Sequence, residues 1–352
     1  MLPFDLQNVR RRRVRRPAVY AGLLALISAA VLAIAAVAVA YRLWRPGLDV
    51  TDGRHDRGRN AIWLQHAWLG ADDWFQREHK LDHLADFRDP ANIQRLAGLL
   101  RAQRITDVFP HMSPAGKSGG LPAVDHAQVE RFLDAFAGFR VMPWTGGVVD
   151  KTCRIRDAKW RRYFVEPIIG LLVRHPRFAG VHINIEPCES GNQYFLALLD
   201  GLRQALPDRF LLSVAAYPPP LWWQPFREVH WDGKYLREVA QRADQLAVMM
   251  YDTALPWPRA YQDVMRRWTH VVLANAANAS ILLGVPAYDD ASSGYHDPTV
   301  ENLPNGLLGI HAALDAYPAL PEHYQGVAIY CEWEMDPTEW SYWQQHFMRA
   351  AD

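Results

Sequence analysis

The chain has 352 residues, with 38 Lys and Arg against 38 Asp and Glu, and 50% of it is hydrophobic. That composition excludes a disordered, collagen-like or low-complexity protein, and 3 Cys are too few for a small disulfide-held scaffold. Residues 1–50 carry eight Arg and two Asp, so the zero net charge leaves residues 51–352 at −6. A negative remainder argues against nucleic acid as a partner, because phosphate binding needs a basic face.

Residues 1–17 form a basic tail, with Arg10, Arg11, Arg12, Arg13, Arg15 and Arg16 grouped together. Ala18 to Tyr41 then runs for 24 positions without a charged side chain. A helix needs about 20 apolar residues to cross the hydrocarbon core of a bilayer. Segment 18–41 therefore reads as a transmembrane signal-anchor. The Arg cluster before it places the N-terminus in the cytoplasm and the remainder on the periplasmic or extracellular side. A cleaved signal peptide is the competing reading, since Ala36-Val37-Ala38 resembles a cleavage site. The apolar run is longer than the usual signal-peptide core, which favours the anchor. In an oxidising compartment Cys153 and Cys188 can pair and leave Cys331 free; the alternative is three unpaired small hydrophobes.

Residues 42–60 read as a polar linker. Strand-like runs follow at 61–68, 105–112, 140–146, 178–186, 210–217, 245–252, 280–288 and 326–333. Helical patterns lie between them, at 91–102, 124–139, 158–174, 192–206, 234–243, 258–274 and 306–317, and a last helix at 336–348 closes the chain. Val129, Phe132, Leu133 and Phe136 show the helical spacing clearly. Eight strands in strict β/α alternation predict a (β/α)₈ TIM barrel over residues 61–352. No Gly-x-Gly-x-x-Gly follows an early strand, which argues against an open doubly wound sheet. In such a barrel the residues that close each strand form the active site.

The fourth predicted strand reads FAGVHINIEP. Alternation puts Val181, Ile183 and Ile185 on the outer face and His182, Asn184 and Glu186 on the inner face. A polar inner face is costly unless its groups are paired or reach solvent, so Glu186, at the mouth, is the candidate general acid. His182 reads as a partner for a neighbouring polar group, not as a base.

Ala179-Gly180-Val181-His182-Ile183-Asn184-Ile185-Glu186 resembles the fourth-strand signature of glycoside hydrolase family 18, the chitinase-like barrels. Met249-Met250-Tyr251-Asp252 resembles that family's sixth-strand motif, Leu283-Gly284-Val285-Pro286-Ala287-Tyr288 its seventh, and Gly146-Gly147 the end of its third. Leu212 to Ala216 is similar to its fifth strand, and Gly326 to Tyr330 stands where its eighth ends in an aromatic. The departures are Ala179 and His182 at acidic positions, Trp144-Thr145 in place of a Ser, and Asn184 where the family has Asp. The Asn-x-Glu form is similar to that of the family 85 endo-β-N-acetylglucosaminidases.

The resemblance implies hydrolysis of an N-acetylhexosamine-containing polysaccharide, in which the substrate's acetamido oxygen attacks the anomeric carbon. It gives Glu186 the role of acid, lets Asn184 accept the acetamido N–H, lets Tyr251 donate to the acetamido oxygen, and lets Asp252 hold Tyr251 or sugar hydroxyls. Trp144, Tyr217, Trp257, Tyr288, Tyr330 and Trp333 are candidate sugar-binding aromatics. Trp68, Trp222 and Trp223 also fall near predicted strand ends. Two alternatives stay open: a carbohydrate-binding barrel without turnover, and a retaining glycosidase whose own carboxylate (Glu332, Glu334, Asp289 or Asp290) is the nucleophile. No HExxH, His-x-His, Gly-x-Ser-x-Gly or P-loop pattern occurs, so neither a metal nor a cofactor is expected.

Overall fold

The structure is a computed structural model that describes residues 16–77, 81–112 and 115–349. The chain divides into an N-terminal unit, Met1–Arg45, and a larger unit, Pro46–Asp352. The N-terminal unit holds a single helix, Arg16–Leu43, and its stretch Tyr20–Leu43 is long and apolar enough to cross a membrane. Residues 1–15, with most of the expected basic tail, lie outside the described residues.

The larger unit is built on one parallel sheet of nine strand segments. These are β1 (Asn60–Leu64), β2 (Ile105–Pro110), β3 (Arg140–Val141), β4 (Trp144–Val148), β5 (Gly180–Glu186), β6 (Leu211–Ala216), β7 (Gln245–Val248), β8 (Ser280–Pro286) and β9 (Tyr324–Tyr330). The order is β3-β2-β1-β9-β8-β7-β6-β5-β4. The predicted third strand is broken at Met142-Pro143, because Pro143 has no N–H for the ladder. Its first half pairs with β2 and its second half with β5. Ala179 N–H donates to Val141 O and His182 N–H to Pro143 O, while Met112 N–H donates to Trp144 O, each at 2.9 Å. The two halves thus act as one strand that closes the ring, and the fold is the expected (β/α)₈ barrel.

Eight helices of eight residues or more surround it: Pro90–Ala102, His126–Ala135, Ala158–Arg174, Gln193–Ala205, Gly233–Ala240, Pro258–Asn275, Leu303–Leu314 and Pro337–His346. All but Pro258–Asn275 start at an Asp or Asn whose side chain accepts a backbone N–H of the first turn, a cap worth about 1 kcal/mol each. Residues 46–59 hold no helix or strand but pack onto the barrel, with Val50, His55 and Asp56 buried.

Inside the ring, Ala61, Trp63, Phe109, Met142, Ala247, Leu282 and Ala328 form an apolar layer. A hydrogen-bond chain crosses it. Trp63 Nε1–H donates to His182 Nε2 at 3.1 Å, and His182 Nδ1 meets Ser213 Oγ at 2.8 Å. Ser213 Oγ–H then donates to Gln245 Oε1, and Gln245 Nε2–H to Asp107, each at 2.7 Å. Arg140 closes the chain on Asp107 with a forked pair at 2.7 and 2.6 Å. Because Nε2 accepts, His182 is neutral, and burial pulls its pKa down to about 3. His182 is thus a structural residue of the barrel interior.

Candidate active site

Glu186 is the last residue of β5, at the open end of the barrel. The outward-facing Val181, Ile183 and Ile185 are buried against the helices, which fixes the register of the inner face. Asn184 stands two residues before Glu186 on that face. Gly146 on β4 makes this packing possible: a Cβ there, at φ +152°, would lie 1.7 Å from Asn184 O.

Glu186 borders two neighbouring hollows, of about 450 and 270 Å³, which share Met249, Tyr251, Asp252 and Tyr295. Burial, and next the negative charge of Asp252, push its carboxyl up to about 7, while hydrogen bonds from Tyr217 and Asn184 pull the other way. The group is therefore able to hold a proton near neutrality. Asn184 is 9% exposed, and its Oδ1 is buried with no hydrogen-bond partner. With the amide N–H turned to Glu186, Oδ1 is an acceptor without a donor in the wall of the smaller hollow.

Tyr251 and Asp252 lie just beyond β7. Asp252 has a left-handed backbone, φ +63°, which ends the extended run that the sequence suggests up to residue 252. Burial keeps the Tyr251 phenol protonated, and its ring stacks on Tyr330 at 5.6 Å. Asp252 accepts the hydroxyl of Tyr288. Trp144, Tyr288, Tyr330 and Trp333 line the smaller hollow, and Tyr217 lines the larger one.

Other expected residues are placed elsewhere. Trp257 is 58% exposed at the start of helix Pro258–Asn275, outside both hollows, where it precedes a proline and caps the helix without a side-chain bond. Trp222 is exposed, and Trp223 donates to Thr253 O at 3.3 Å. Glu332 faces a separate cavity together with Trp68. Glu334 is on the rim and accepts the Asp289 N–H at 2.7 Å. The expected bridge between Cys153 and Cys188 is absent: both are free and buried, as is Cys331. Burial pushes the Cys153 and Cys188 thiols up to about 12, so each packs as a small apolar group.

Two residues beside the site had no motif to reveal them. His296 and Glu301 lie on the segment after β8, and both are buried. His296 Nε2–H donates to Tyr288 O at 3.0 Å, which leaves Nδ1 facing Asp252 at 3.5 Å and Glu301 at 3.9 Å. Glu301 accepts the Thr253 N–H and hydroxyl at 3.0 and 2.9 Å, and burial pushes its carboxyl up to about 7. Burial pulls the His296 imidazole down, but the Asp252 and Glu301 carboxylates facing Nδ1 outweigh it and raise its pKa. An imidazolium between two carboxylates fits this geometry. Asp252, His296 and Glu301 also place one ligand atom each within 4.8 Å of one another, a set that could hold a metal ion.

Solved structures share the fold. The chain overlays a Bacillus cereus spore cortex-lytic enzyme, SleL, with TM-score 0.54 and 12% identity, over 82% of this chain and 74% of that one. It overlays a chitinase from Chromobacterium violaceum with TM-score 0.54 and 16% identity, over 81% and 98%. A Rhizomucor miehei chitinase gives 0.51 and 13%, over 83% and 99%. No curated protein matches the chain significantly. Residues 125–344 match the family described as glycosyl hydrolases family 18. That span holds Asn184, Glu186, Tyr251 and Asp252, and with the ring of parallel strands around them the chain belongs to glycosyl hydrolases family 18.

Proposed function

We propose that this chain is a membrane-anchored, extracytoplasmic glycosidase that cleaves an N-acetylhexosamine-containing polysaccharide by substrate-assisted, retaining hydrolysis. The observation that carries this reading is the unpartnered, buried Oδ1 of Asn184 beside Glu186. An orphan acceptor inside a protein is costly, and an acetamido N–H in the smaller hollow satisfies it. Residues 18–41 are the anchor, with residues 1–17 in the cytoplasm.

With the N–H held by Asn184, the acetamido oxygen is turned toward the anomeric carbon. Glu186 donates its proton to the glycosidic oxygen as that bond breaks, and the acetamido oxygen bonds to the anomeric carbon. The product of this step is an oxazolinium ion. Tyr251 donates its hydroxyl to the same oxygen, and Asp252 fixes the Tyr288 side of the hollow. Glu186, now a carboxylate, takes a proton from water as the water opens the oxazolinium, so the configuration is retained. A neutral amide at position 184 stabilises the cation less than a carboxylate would, so the chemical step is slower than with Asp. Trp144, Tyr330 and Trp333 offer apolar faces to sugar C–H groups.

The test is Glu186→Gln in the full-length protein. Hydrolysis of N-acetylated glycan should fall by about 10²–10⁴-fold, while binding of the same glycan stays within a few-fold. Equal release of reducing ends by both proteins would overturn the assignment.

A further inference from the structure

The barrel domain has a cavity separate from the two hollows at Glu186. This cavity, of about 530 Å³, has Glu332 in its wall, whereas the neighbouring Cys331 and Trp333 line the hollow of Glu186. One apolar side is an edge-to-face series, with Trp68 against Phe87 at 4.6 Å and Phe87 against Phe75 at 5.2 Å. His83, Asp86, Asn92 and Arg95 supply the other polar and charged lining.

Two polar groups in this wall lack adequate partners. The Glu332 carboxylate has a long contact to the Gln65 N–H at 3.5 Å, and no cation stands at ion-pair distance among the described residues. Burial pushes its carboxyl up to about 7. The Trp68 indole Nε1–H is directed at the same carboxyl, yet it is buried with no partner within hydrogen-bond distance, in a side chain of a residue only 7% exposed. Glu332 is half-buried, and a carboxylate withdrawn from water without a cation is unfavourable. A neutral hydroxyl offsets that incompletely, whereas an ammonium supplies the missing charge and N–H donors.

We propose that this cavity binds a hexosamine residue with a free ammonium group, seated against Trp68 and Phe87 with its ammonium on Glu332. It rests on the carbohydrate reading of the adjoining hollow, but not on turnover there. Glu332 lines this cavity while its chain neighbours Cys331 and Trp333 line the hollow of Glu186, so a glycan that crosses this strand end meets both. The substrate class is then a partly de-N-acetylated polymer: an acetylated residue at Glu186 and a deacetylated one at Glu332.

The experiment titrates glucosamine tetramer and N-acetylglucosamine tetramer into full-length, detergent-solubilised protein carrying Glu186→Gln, by calorimetry at pH 7. Adding Glu332→Gln should weaken the glucosamine tetramer about tenfold and change the acetylated tetramer by less than about twofold. Repeated at about pH 5.5, where the sugar amine already carries its proton and the carboxyl is still mostly protonated, glucosamine binding should release a proton as the ammonium draws the carboxyl into its charged form, seen as a buffer-dependent enthalpy that disappears in Glu332→Gln. Trp68→Phe keeps the apolar wall and should also weaken the glucosamine tetramer selectively, which guards against a folding defect at position 332. Unchanged glucosamine affinity, or equal losses for both tetramers, would overturn the proposal. Selective binding by a protein whose Glu186 form hydrolyses nothing would keep this site and remove the catalytic reading.

Discussion

Asn184→Asp restores the acid that the family carries at this position, and its effect on Glu186 follows from strand geometry. The Asn184 amide touches the Glu186 carboxyl, so an acid in its place sits no farther away than about 6.5–7 Å, the separation of side chains two apart on one face of a strand. Two charges at that distance repel by about 2.5 kcal/mol at an effective dielectric near 20, equivalent to nearly two pKa units. The amide N–H that now lowers the Glu186 pKa is lost as well, so both changes act in the same direction. Glu186 starts at about 7. The alkaline limb of kcat/KM, where the acid loses its proton, should therefore move up by about one to two pH units, as a property of the coupled pair. The rate below pH 7 should rise, because a carboxylate stabilises the oxazolinium better than an amide. The assay is kcat/KM from pH 5 to 9 on an N-acetylated oligosaccharide, with thermal unfolding run alongside. An alkaline limb that stays near 7 or moves down would refute the placement of these side chains.

Other substitutions separate the supporting groups. Tyr217→Phe removes a hydrogen bond that lowers the Glu186 pKa, so the same limb should move up by a smaller amount while KM changes little. His296→Asn takes a cation from between Asp252 and Glu301 and should cost about 3–5 kcal/mol in denaturant unfolding. The folded-state pKa of His296 is raised, so its stabilisation is complete below the unfolded value and is lost as pH rises through the folded one. The cost should therefore be larger at pH 6 than at pH 9, and a pH-independent cost would count against the ion pair. Trp333→Ala should raise KM for glycan by about tenfold or more, whereas Trp257→Ala, outside both hollows, should leave kcat and KM unchanged.

The barrel was legible because alternating β and α patterns need only local periodicity. The inner face of β5 was legible for the same reason: Val181, Ile183 and Ile185 bury outward, which leaves Asn184 and Glu186 facing the mouth. The break at Pro143 was implicit in its missing N–H, but ring closure by two half-strands depends on which neighbours each half meets. His296 and Glu301 were not legible, because their meeting with Asp252 depends on how the segment after β8 folds back, and no periodicity encodes that. Cys153 and Cys188 sit after adjacent strand positions, yet adjacency in the barrel did not bring the sulfurs together; each is buried on its own. Trp257 shows the same limit, since position near a strand end does not decide which way a ring turns. Glu332, an alternative nucleophile in the sequence, lines a different cavity from its neighbours Cys331 and Trp333, a divergence that no periodicity encodes.

Two oligosaccharides that differ only at C2 of the sugar placed at Glu186, one with an acetamido group and one with a hydroxyl, give the most direct test of the account. The anomer released is read by NMR within the first turnovers. The acetamido substrate should be cleaved with retention and the hydroxyl analogue left intact, because the attacking oxygen belongs to the substrate. Cleavage of both at similar rates, or inversion with the acetamido substrate, would contradict it.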